Sequence, residues 1–123
     1  MIRGHQPLIA MRMRGLRPDG VHITAGIDHG KGWRDWPQGS PWGTNASLEV
    51  RDDEPTSSLA PAFRCLVGLT VFVLGAAESR VDAIAEAARE AGAASVYAMT
   101  FSDRHEPIAA RFYTPETPEW QPF

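Results

Sequence analysis

The sequence predicts an α/β domain, with α+β as the near alternative: a small mixed sheet of four or five strands with two helices. Three observations carry that expectation. Leu66–Leu74 is almost continuously apolar and β-branched, as a strand covered on both faces requires. Val81, Ile84, Ala85 and Ala88 repeat at helical spacing, with Arg80, Asp82, Glu86, Arg89 and Glu90 between them. Ser95–Phe101 then returns as a second apolar, β-rich run, which makes one strand–helix–strand unit over about 66–101. If its two strands are parallel, the crossover is expected to be right-handed.

Taken in order, the first element reads as a short helix with a strand as its competitor. Pro7 suits the first helical position, Leu8 and Met11 share a face, Gly15 suits a left-handed cap and Pro18 follows the stop. Pro18-Asp19-Gly20 is a turn signal. After it Val21, Ile23, Ala25 and Ile27 alternate with His22, Thr24 and Gly26, the period of a strand buried on one face. Asp28–Gly43 reads as a long loop bearing Trp33, Trp36 and Trp42. Ala46–Arg51 reads as a strand with Leu48 and Val50 inward, and Asp52–Pro61 as an acidic, Ser/Pro-rich connection. In the strand–helix–strand unit, Ser79 stands three residues before Asp82 as a helix start and Gly92 supplies the C-terminal cap. Ile108–Tyr113 is placed to form a hairpin with Ser95–Phe101. Residues 1–113 make one domain by this reading. Residues 114–123, with Pro115, Pro118 and Pro122, make an extended tail in which Trp120 and Phe123 can anchor.

Composition narrows the class. A chain of 123 residues that is 43% hydrophobic and 22% charged is the size and make-up of one globular domain. Cys65 is the single cysteine and cannot form an internal disulfide, which fits a reducing, cytoplasmic setting and a structural thiol. The apolar block Leu8–Met11 is too short for a signal-peptide core, and Cys65–Ala77 is too short to span a bilayer. No membrane association is expected. The net charge of −3 is split, with +3 over residues 1–51 and −6 over residues 52–123, which describes a dipolar surface.

The candidate chemistry is sparse. Gly26-Ile27-Asp28-His29-Gly30-Lys31-Gly32-Trp33 holds a base, a carboxylate and a lysine among glycines. It lacks the spacing, hydroxyl and following helix of a phosphate-binding loop, and Gly75 stands without the other glycines of a dinucleotide fingerprint. His5, His22, His29 and His105 form no metal-ligand motif with each other or with Asp28, Asp35 and Asp103. There is no nucleophile elbow, and Ser102, Asp103 and His105 are too close along the chain for triad geometry. No cofactor or metal is therefore expected.

Four tryptophans remain, Trp33, Trp36, Trp42 and Trp120, all outside the expected core elements. Tryptophan desolvates much area at small entropic cost and is enriched in binding hot spots. It serves equally to cap the open face of its own sheet. The leading expectation is a non-catalytic module that binds a protein partner or a second copy of itself, through residues 28–43 and the Pro-rich tail. The alternative is a nucleic-acid-associated protein using the basic cluster Arg12, Arg14 and Arg17, extended by Lys31 and Arg34. The pI of 5.7 argues against it. A third option is a small hydrolase or metal-dependent enzyme centred on Asp28 and His29.

Overall fold

The computed structural model describes residues 19–28, 33–35, 47–102, 104, 106–112 and 121–122. The expected N-terminal helix, the bulk of the tail, and His29, Lys31, Trp36, Trp42 and Trp120 lie outside the described residues. Within them the chain runs β1 (Gly20–Asp28), β2 (Trp33–Asp35), β3 (Ser47–Arg51), α1 (Ala60–Phe63), β4 (Thr70–Gly75), α2 (Glu78–Glu90), β5 (Ser95–Phe101), β6 (Pro107–Phe112) and β7 (Gln121–Pro122). Single 3-10 turns, Thr56–Leu59 and Arg64–Leu66, flank α1.

The strands form one mixed sheet in the order β2-β1-β4-β5-β6-β7, and β3 also pairs with β1. Residues 20–24 of β1 take β3 and residues 26–28 take β2, so these two strands share one side of β1. β4 and β5 are parallel, with α2 between them in sequence, and every other pairing is antiparallel. The α/β expectation of a small mixed sheet with two helices is met: five strands have five residues or more, and β2 and β7 add three and two.

One sheet face packs on the helices. Val21, Ile23, Ala25, Val71, Val73 and Val96 meet Leu59, Phe63 and Leu66 from the α1 region. From α2 the same core receives Val81, Ile84, Ala85 and Ala88, all at 0% exposure. The helical spacing of that stripe is what lets one strip of α2 be wholly removed from water. Cys65 is half-buried against this core.

Three boundaries differ from expectation. The strand expected from Leu66 starts at Thr70, because Gly68 adopts φ 79 and turns the chain. Asp52–Pro61 is partly helical, with Pro61 in the first turn of α1, a position where its missing N–H costs nothing. In α2 the residue at the N-terminal cap is Ala77, with no side-chain cap bond, so Ser79 lies inside the helix rather than before it. At the other end Gly92 has φ 105, the backbone the cap needs. Its carbonyl accepts from Gly68 N at 3.0 Å, tying the helix exit to the turn before β4.

The second sheet face corrects the expectation of a half-buried β1. Direct cross-strand partners share a face, and two rows run across the sheet. Glu49, His22, Leu74, Met99 and Ala110 stand opposite one another in one row. Thr24, Phe72 and Tyr97 do so in the next. His22 is 9% exposed and Thr24 0%, alongside Phe72 at 1% and Leu74 at 1%. Among the described residues no helix packs on this face.

Candidate functional site

The polar end of the second face is the most chemically distinctive place in the described structure. Asp52 N donates to Asp19 O at 2.9 Å. Pairs alternate along an antiparallel ladder, so His22 and Glu49 face each other at a position without mutual backbone bonds, where side chains come closest. Nδ1 of His22 lies 2.5 Å from Oε1 of Glu49. A carboxylate can only accept, so Nδ1 carries the proton and donates. The side chain of His22 is 10% exposed and that of Glu49 is 46% exposed, so the pair runs from the sheet interior to its surface.

The other ring nitrogen, Nε2, is buried and has no hydrogen-bond partner. On its far side from Glu49 the ring's row continues with Leu74, and one row along, Phe72 stacks on Tyr97 with centroids 5.1 Å apart and planes 17° apart. An unmatched polar atom beside apolar side chains costs about 1–3 kcal/mol. A histidine fixed through Nδ1 with Nε2 unmatched can accept a proton or a hydrogen bond. Metal coordination would need further ligands, and among the described residues no three His, Cys, Asp or Glu side chains come together to hold an ion.

Two other polar clusters are structural. Arg80, near the start of α2, donates through Nη1 to Thr56 Oγ1 at 2.9 Å and through Nη2 to Arg51 O at 3.1 Å and to Glu54 O. It therefore fastens the β3–α1 connection to α2. Arg111 of β6 donates to Asp82 of α2 at 2.5 Å and holds the helix over the sheet.

Of the residues singled out from sequence, Asp28, Trp33 and Arg34 fall within described backbone. Asp28 pairs with Trp33 and Ile27 with Arg34, so the segment expected as a loop from residue 28 begins with the end of β1 and returns as a strand. Asp28 is six residues from His22 along β1, roughly 20 Å of strand, so the two do not form one site. The sequence reasoning missed Glu49 altogether and placed His22 on a face open to solvent. Their meeting depends on strand register, which could have been drawn only by pairing Val21 and Ile23 with Leu48 and Val50.

No helix among the described residues is long and apolar enough to cross a membrane. Comparison with protein-family models, with curated proteins and with solved structures finds no match.

Proposed function

We propose that this chain is a binding module that acts through protein–protein contact, with residues 28–43 as the principal contact segment. The observation that supports the reading is the position of Trp33: among the described residues it lies on β2, at the end of the strand order, paired to the last residues of β1. A connection that leaves from a sheet edge can meet a partner without disturbing the core. Trp36 and Trp42 follow in the same segment, and a cluster of large aromatic groups is the composition expected of a binding hot spot. The partner is a protein surface or a second copy of this chain, and Trp120 in the tail offers a further anchor. The split of charge along the sequence orients such an encounter rather than supplying its affinity.

The test is light-scattering mass measurement together with crosslinking capture from the native source. Wild-type protein is compared with a variant carrying Trp33→Ala, Trp36→Ala and Trp42→Ala. The reading predicts a self-associated or partner-bound wild type and a variant that keeps its fold but loses the contact. A monomeric wild type that captures nothing, or a variant that captures the same partner equally well, contradicts it.

A further inference from the structure

From the registers of β2 and β3 we infer that residues 36–46 are an insertion into a single edge strand, and that this insertion makes the contact, against an uncharged protein surface. This rests on the binding reading above and sharpens it to a place and a partner chemistry. β2 and β3 both run antiparallel to β1, so they share one direction along the same side of it. Asp35, the last residue of β2, stands opposite Gly26, and Ser47, the first of β3, stands opposite Thr24. Ala25 alone lies between those two partners, so a single residue would complete an uninterrupted strand. Residues 36–46 instead join two points of the sheet edge that are only roughly 7 Å apart along β1.

Residues 36–46 themselves lie outside the described residues, and it is their anchoring and their composition that bear on their role. Pro37 and Pro41 have no N–H to give a ladder, which is reason for pairing to stop after Asp35. Lengthening a connection whose ends are already close costs little further entropy, so the sheet tolerates such an insertion. The segment holds no Lys, Arg, Asp, Glu or His, in a chain that is 22% charged. It holds Trp36 and Trp42 with Gln38, Ser40, Thr44 and Asn45, large aromatic faces beside neutral hydrogen-bonding groups. Rigid aromatic anchors among small polar side chains are the composition with which recognition loops bind proteins. Its affinity comes from desolvating the rings and from neutral hydrogen bonds, and the surface it fits is apolar and uncharged.

The experiment compares the full chain with a variant in which residues 36–46 are replaced by one threonine, by urea unfolding and by the mass and capture measurements at two salt concentrations. The shortened variant is expected to keep the wild-type urea midpoint, because β2 and β3 join, and to lose the contact. The wild-type contact is expected to change less than about threefold in Kd between roughly 0.05 and 0.5 M sodium chloride, since screening acts on charge pairs and not on buried rings. A second variant keeps the length and fills 36–46 with Gly and Ser, so that a strained junction is not mistaken for lost packing. A midpoint kept by either variant supports the insertion; clearly lower midpoints in both place residues 36–46 in the fold and overturn it. A shortened variant that keeps the contact overturns the localisation and leaves the binding reading to Trp33. Weakening by salt of about tenfold or more overturns the uncharged partner, and is the result a nucleic acid would give. A wild type that makes no contact removes the binding reading and this localisation with it, whatever the midpoints.

Discussion

At the scale of single residues, the fold depends on side chains and glycines whose surroundings leave little choice. A Cβ added to Gly75 would lie 2.7 Å from Val81 Cγ2 and 3.0 Å from Val21 Cγ2, where the end of β4 passes under the start of α2. Those methyl groups belong to fully buried β-branched residues that cannot swing away. Gly75→Ala is therefore expected to destabilise by about 1–3 kcal/mol in urea unfolding; an unchanged midpoint would mean that the helix start yields freely. Ile84→Ala, which empties a fully buried site, is expected to cost about 2–5 kcal/mol by the same measurement. The identity of such core positions was legible in the sequence, because period and apolar character coincide at Val21, Ile23, Val81 and Ile84. The burial of His22 and Thr24 was not. Nothing in the alternation of β1 reveals that its polar side is also withdrawn from water.

At the scale of elements, the long periodic segments were legible and the short ones were not. α2 occupies Glu78–Glu90 and β5 occupies Ser95–Phe101, close to where the apolar patterns place them. The turns and single helical turn over 56–66 escaped notice because four residues complete barely one period. Likewise the split of β2 from β1 is invisible in composition, since its three residues carry no alternation to read. The hairpin of β5 and β6 was expected, but its irregularity was not: Thr100 pairs with Ala109 and Phe101 with Pro107, which leaves Ile108 as the extra residue, 51% exposed. An extra residue of this kind bends the strand and re-aims a side chain. Arg80→Ala removes the guanidinium that fastens the β3–α1 connection, at a cost of about 2 kcal/mol. Gly92→Ala forces a side chain into φ 105 and is expected to cost about 1 kcal/mol in the same unfolding assay. A neutral Arg80→Ala would show that the connection holds without α2.

At the scale of the whole molecule, the sheet divides labour between its faces and its edge. The helix-packed face is scaffold, the second face carries the His22–Glu49 pair, and the β2 end of the sheet carries the first of the tryptophans. β4 is flanked on both sides by long strands and buried from Val71 to Gly75, with its first residue, Thr70, half-buried. Its amides are expected to exchange slowest of all in native-state hydrogen exchange, with those of β2 exchanging far sooner. Charge along the chain was legible as an asymmetry, but where strands β2 and β3 attach was not, because both choose the same side of β1.

The proposal to be tested is that residues 28–43 make the contact with a protein partner or a second copy of the chain. Acrylamide quenching of tryptophan fluorescence tests it most directly, in variants that each keep one of Trp33, Trp36 and Trp42 and replace the other tryptophans by phenylalanine. The account predicts ready quenching of at least one of these rings in the free protein and its protection on binding or self-association. Three rings shielded from quencher in a protein that stays monomeric would contradict it.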